Sequence, residues 1–349
     1  MTVHQINPLA DRRWPDFLQA HPKASIFHTP EWLETLRRTY KYEPFVLTTS
    51  APGATLTNGV VFCRVKSWLT GERLVSVPFA DHCDPLFERE EDLHAILATA
   101  GRGKRGGSKP VEIRPLDSPA LGMTANDGLF EGRTFRIHLL DLKPSIDELL
   151  RSFDKNSVQR RIKRVAKENL LYEVGNSPAL LKKFYDLQIL TRRRHQVPPQ
   201  PIAWFENLLQ SLGEMAKVRV VSKDGVPIAS ILTLHFKQSV IYKYGCSDSR
   251  YNNLAGTPFL FWEAIREAKQ SGALVFDMGR SDLDNPGLLN FKSNWATADL
   301  PLTYWRRPAP AARRGGAWEK GRQAGGFVLS YLPDKVLIFL GAALYKHAG

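Results

Sequence analysis

Two hydrophobic rhythms alternate along this chain, and their order predicts a mixed α/β protein. A helix over 30–40 leads to strand-like runs at 45–49, 59–66 and 73–77. A helix over 90–100 and strands at 111–114 and 133–140 follow. The same kind of order returns after residue 150. A helix over 156–168 places Val158, Ile162, Val165 and Ala166 on one face, while Arg160, Arg161, Lys163, Arg164 and Lys167 fill the rest. Ser177-Pro178 reads as N-cap and first turn of the next helix, where Leu180, Leu181, Phe184 and Leu187 recur at helical spacing. A helix over 202–212 then precedes strands at 218–222, 228–236 and 240–246. Strict alternation in the last strand would put Val240, Tyr242, Tyr244 and Cys246 on one face.

The stretch 240–278 reads as strand, polar loop, helix and strand, with Thr257 as cap, Pro258 in the first turn and Gly272 as the stop. Such a crossover brings its two strands parallel and turns the loop at the helix N-terminus toward a ligand. Gly- and Pro-rich segments at 101–110 and 306–326 read as loops or boundaries. The 349 residues suit two domains, expected at 1–150 and 151–306, with a basic linker and C-terminal amphipathic helix over 307–349.

Charge changes the picture because it is uneven. Residues 1–150 balance at −1 and residues 151–349 at +14, a one-sided field that attracts polyanions such as a nucleic acid, a pyrophosphate-bearing carrier or an anionic membrane surface. Cys63, Cys83 and Cys246 are too few and too far apart for a disulfide framework or zinc site. The polar start lacks a signal-peptide core, and the apolar run at 336–344 is far below the roughly 20 residues that cross a bilayer. These features predict a cytoplasmic protein that is not exported and can work at the inner face of the membrane. The tail is expected to pack on the first domain or to lie on a lipid surface.

Several motifs occur in a fixed order: Phe27-His28-Thr29-Pro30-Glu31-Trp32, Pro78-Phe79-Ala80-Asp81, the basic helix from Ser157, the segment from Thr191 to Pro201, Phe276-Asp277-Met278-Gly279-Arg280-Ser281, Gly287-Leu288-Leu289-Asn290-Phe291-Lys292 with Trp295, and a closing Leu344-Tyr345-Lys346. Together they resemble the Fem-type peptidoglycan aminoacyltransferases of the GNAT superfamily and the related BioF-like acetyltransferase and exosortase-associated group. The resemblance implies two tandem GNAT-like domains facing across a cleft. It also implies transfer of an acyl or aminoacyl group to an amine with no permanently bound cofactor or metal. The co-substrate would be acyl-CoA or an aminoacyl-tRNA, and the acceptor a small-molecule or lipid-linked sugar or peptide of the cell envelope; DNA is not an expected partner.

The resemblance assigns Lys292 to the charge that develops on the attacked carbonyl, with Phe291 beside it. Arg280, just past a strand end, suits a substrate carboxylate or phosphate, or else an ion pair with Asp277, Asp282 or Asp284. Asp81 can orient the acceptor amine or simply form a turn, and His82 stands next to it. Tyr244 and Asp277 complete the expected substrate contacts. GNAT enzymes hold the coenzyme A pyrophosphate with Arg/Gln-x-x-Gly-x-Gly/Ala; here Arg250, Asn253, Ala255 and Gly256 occupy that stretch, with Asn253 in place of the first glycine. Cys246 suits a small core residue better than a covalent nucleophile. Two other classes remain open: a non-catalytic adaptor that keeps the fold and binds a precursor or polyanion, and a nucleic-acid-binding protein, against which the aromatic residues fall at core spacing.

Overall fold

Local signals start the helices where the sequence places them. The Thr29 hydroxyl accepts the Trp32 N–H at 3.3 Å, Pro30 fills the first turn, and Lys41 closes the helix in the left-handed conformation at φ 60°. Ser177 caps with Pro178 in the same way, its hydroxyl accepting the Leu180 N–H. The computed structural model describes all residues except 69–70, 103–107, 117–127, 166, 309–328 and 330. The loop expected at 101–110 and the linker expected at 306–326 therefore lie largely outside the described residues.

In chain order the main elements are β1 (His4–Ile6), α1 (Arg13–Ala20), α2 (Pro30–Tyr40), β2 (Glu43–Thr48), β3 (Val60–Ser67), β4 (Gly71–Val75), α3 (Glu90–Thr99), β5 (Val111–Ile113), β6 (Phe130–Asp141), α4 (Ile146–Ser152), α5 (Arg160–Val165), β7 (Leu171–Gly175), α6 (Pro178–Arg194) and α7 (Ile202–Leu212). They continue with β8 (Ala216–Lys223), β9 (Val226–Phe236), β10 (Ser239–Ser247), α8 (Gly256–Gln270), β11 (Val275–Ser281), α9 (Pro286–Ser293), β12 (Ala298–Arg307) and α10 (Asp334–Ala348). The protein is mixed α/β, and the chain divides into two units. One holds Met1–Phe135, Pro301–Ala312 and Ala343–Gly349; the other holds Arg136–Leu300 and Arg313–Ala342.

In the first unit β1, β2, β3 and β4 pair antiparallel in sequence order, and β5 joins β4 in parallel. Trp305, Arg306 and Arg307 of β12 pair antiparallel with β5. Phe45, Phe62, Leu93, Ile96, Leu97 and Ile113 form its core. The chain's last residues dock here: Tyr42 Oη donates to the Lys346 carbonyl at 3.0 Å, and the Arg73 guanidinium donates to the His347 carbonyl at 3.1 Å. The tail expected to pack on the first unit does so only at its last residues, Ala343–Gly349, while the helix up to Ala342 belongs to the second unit.

In the second unit β7, β8, β9 and β10 run antiparallel, β11 joins β10 in parallel, and residues 136–141 of β6 pair antiparallel with β11. The core gathers Leu260, Phe261, Ile265, Phe276, Met278 and Trp295 with Phe153 and Val158. Gly341 of α10 abuts Pro199, where a Cβ would collide with the proline carbonyl.

Three local expectations need correction. The single helix over 156–168 is a π-helical turn, Lys155–Gln159, followed by the short α5; Asp154 caps the turn by accepting the N–H groups of Asn156 and Ser157. Helix α8 starts at Gly256, with Ala255 as N-cap in the left-handed conformation at φ 55°, rather than at Pro258 with Thr257 as cap. Finally, β10 carries a bulge: Tyr242 faces Thr233 and Tyr244 faces Leu232, so Lys243 is an extra residue. Side-chain parity flips across a bulge. Tyr242 accordingly packs on Phe261 beneath α8, while Tyr244 packs on Phe205 of α7 and accepts the Trp204 indole N–H at 2.9 Å.

Candidate active site

Within the second unit the chemistry-bearing residues collect where β10 and β11 stop pairing. The two strands match over only three positions, Ser239 with Val275, Val240 with Phe276 and Ile241 with Asp277, although both continue further. The β10 bulge follows at once on one strand. On the other, register shifts between Asp277 and Arg280, where Gly279 takes φ +69° and donates its N–H to the Asp277 carboxylate at 2.7 Å. That backbone conformation suits glycine.

The kink has a purpose that can be read from its neighbours. Asn285 caps α9 by accepting the Leu288 N–H, Pro286 fills the first turn, and the helix carries Lys292 back over the end of β11. Lys292 is 2 % exposed, and its Nζ donates to the carbonyls of Gly279 at 2.8 Å and Arg280 at 3.0 Å. It also lies 6.0 Å from the Tyr242 ring centroid. A buried ammonium needs hydrogen-bond partners to offset lost hydration, and main-chain carbonyls supply them here. Phe291 turns the other way into an aromatic cluster, 5.0 Å from Phe261 and 6.3 Å from Trp295. Asp277, Arg280 and Lys292 thus meet at one strand end, with Asp277 shaping the backbone rather than projecting outward.

Sequence reading missed His138, which is fully buried beside this cluster. Its Nε2 lies 3.3 Å from Ser293 Oγ and 3.7 Å from Asp299, and Asp299 is itself bound by Arg136 at 2.7 Å. Burial pushes the His138 pKa down, which Asp299 opposes and Lys292 reinforces. Nothing in a strand's alternating pattern marks such a histidine.

The residues expected to hold a donor lie at the start of α8. Arg250 is largely exposed and its guanidinium is bound to the Asp248 carboxylate at 2.6–3.0 Å. The hydrogen bonds from Arg250 hold the Asp248 carboxyl below its usual pKa. With Arg193, Arg194, Ser247 and Ser249 they line a pocket of ≈ 320 Å³. Asn253 is exposed, and Gly256 is buried with its Cα so close to the sheet that a Cβ would meet Val221 at 2.9 Å and Ala229 at 3.3 Å. Arg193 and Arg194 lie in the last turn of α6, where cations suit the helix dipole, and their place around Arg250 depends on tertiary folding.

In the first unit Asp81 and His82 sit in the tight segment after β4. Asp81 is 9 % exposed and His82 is 6 % exposed. Val77 at φ 98° and Phe79 at φ 61° hold conformations that L-residues with such side chains rarely take. Many bonds over-determine the segment: Arg114 donates to the carbonyls of Val77 and Ala80, and Tyr304 Oη donates to the Asp81 carbonyl at 2.6 Å. His28 completes the fixing. Its Nδ1 accepts the Ser25 N–H at 3.0 Å, so the proton is on Nε2, which donates to the Asp84 carbonyl at 2.9 Å. Cys83 Sγ, 3.3 Å from the same nitrogen, therefore faces an N–H and gains no base there. Among the described residues no group of three or more His, Cys, Asp or Glu is placed to hold a metal ion.

Residues 152–293 match the family model described as acetyltransferase (GNAT) domain, and the enzyme class this supports is acyl transfer. Among solved structures the chain is similar to the crystal structure of FemX, with 16 % identity, TM-score 0.68, and coverage of 87 % of this chain and 97 % of that one. It is also similar to L-PGS from Bacillus licheniformis (14 % identity, TM-score 0.55, covering 93 % and 97 %). A third likeness is to a tandem GNAT protein from the clavulanic acid biosynthesis pathway (10 % identity, TM-score 0.54, covering 89 % and 100 %). At these identities the likeness is one of fold. No curated protein matches by sequence.

Proposed function

We propose that the chain transfers an acyl or aminoacyl group from acyl-CoA or aminoacyl-tRNA to an amine of a cell-envelope, peptidoglycan or exopolysaccharide precursor. The observation that carries this reading is the buried Lys292 ammonium held by two main-chain carbonyls at the end of β11. In the reaction the acceptor nitrogen attacks the donor carbonyl, a C–N bond forms, and the C–S bond of a thioester or the C–O bond of an ester breaks. The amine loses a proton and the departing thiolate or alkoxide gains one. Lys292 stabilises the transient oxyanion, and a charge fixed in a dry site acts more strongly than one in water.

The ladder that stops after Ile241 and Asp277 supports the choice of donor. Backbone leaving a parallel ladder suits the amides of a pantetheine arm, which can bind as an added strand. Phosphates of the same carrier would then meet the basic pocket of Arg193, Arg194 and Arg250. The α5 cations Arg160, Arg161, Lys163 and Arg164 support the alternative tRNA donor. Asp81 and His82 are assigned to the acceptor, on the strength of their strained and heavily braced segment.

The test is incubation of the purified protein with a panel of acyl-CoAs and charged tRNAs, read by mass spectrometry of what stays bound and of the amide product. Once a donor is found, Lys292→Ala should lower turnover by about 10²–10³-fold with donor binding kept. Unchanged turnover in that folded variant removes Lys292 from the mechanism, and retention of no donor removes the transferase reading.

A further inference from the structure

The last helix is packed on one side and open on the other. Leu337 is fully buried and Gly341 is buried against Pro199. Opposite them, Lys335, Phe339, Ala342 and Lys346 follow at steps of four, three and four residues and so share one face. Phe339 is 70 % exposed, and Val336, at 40 %, extends the apolar surface. A phenylalanine left in water to this extent, with a valine beside it, calls for a partner.

We propose that this face lies on an anionic lipid surface, with α10 parallel to the membrane plane. Charge complementarity selects that partner. The two lysines are 11 positions apart, about 16 Å along the helix axis, and bracket the apolar stripe; their long stems let the ammonium groups reach lipid phosphates while the Phe339 ring enters the interface. In the sequence just before the helix, Arg306, Arg307, Arg313, Arg314, Lys320 and Arg322 stand against the single acid Glu319. A basic run next to an amphipathic helix favours a negative surface. A second copy of the chain would instead bring these like charges together. The 15-residue helix is too short to cross a bilayer.

The inference does not rest on acyl transfer, so its test reads lipid binding alone. Purified full-length protein is sedimented with vesicles of phosphatidylcholine, with or without about one third phosphatidylglycerol. Pelleting is expected with the anionic vesicles and should fall as salt is raised. Phe339→Asp, whose exposed site leaves the fold intact by circular dichroism, should lower the partition coefficient by at least about tenfold. Lys335→Gln with Lys346→Gln should lower it by about 25-fold, or about fivefold per lysine. The proposal is overturned if anionic vesicles do not bind the protein, if neutral vesicles bind it equally, or if Phe339→Asp binds as well as wild type. Self-association abolished by Phe339→Asp in protein that ignores vesicles would overturn it in favour of a dimer face.

Discussion

His28 makes the brace beneath the Asp81 segment sensitive to acid, and the size of the effect can be worked out. The imidazole is fully buried, and burial lowers its pKa from 6.5 to about 4. The hydrogen bonds to Asp84 and Ser25 partly oppose that shift. Between these two values the unfolded chain binds a proton that the folded protein refuses, so stability is lost as pH falls from 6.5 and the loss levels off below about 4. The full interval is worth ~3 kcal/mol, of which ~2 kcal/mol falls between about pH 7 and pH 5. Urea unfolding followed by tryptophan fluorescence, at both pH values, should show His28→Gln losing ~2 kcal/mol less than wild type over that step. Carboxylates held low by arginine, such as Asp11 and Glu34, titrate in both proteins and cancel in the difference. Equal pH slopes for the two proteins would refute the neutral, buried assignment.

Gly279→Ala forces an alanine to φ +69°, a cost of ~1–2 kcal/mol, and disturbs a carbonyl that holds Lys292. Thermal unfolding should report the first effect and transfer assays a fall in turnover with little change in donor binding. Arg250→Glu places a carboxylate beside Asp248 and reverses charge in the basic pocket. Calorimetry should then show acyl-CoA affinity reduced by at least about tenfold, and unchanged affinity would exclude this pocket from donor binding.

Periodicity and caps carried most of the architecture, because helices such as α2 and α6 are set by residues close in sequence: Thr29 with Pro30, and Ser177 with Pro178. Helix α4 was just as visible in principle. Its Ser145 and Glu148 form a reciprocal capping box, a four-residue signal that sequence reading passed over. The β10 bulge was hidden because alternation assumes unbroken pairing, while the extra Lys243 is defined by the register of β9. Lys292, Asp277 and Arg280 could be named from motifs, but their arrangement depends on a left-handed Gly279 that the letters alone do not distinguish from an ordinary strand glycine. His28 belonged to a recognised motif, yet its tautomer and its hold on Asp84, 56 residues away, exist only in the folded chain.

Lys292 is tied to main-chain oxygens of Gly279 and Arg280. Such a tether is indifferent to the side chain at position 280, provided Gly279 keeps the backbone in its turn. Homologues could therefore exchange residue 280 freely with no compensating change at 292, and a search for co-varying pairs would overlook this contact while a map of glycine retention would find it.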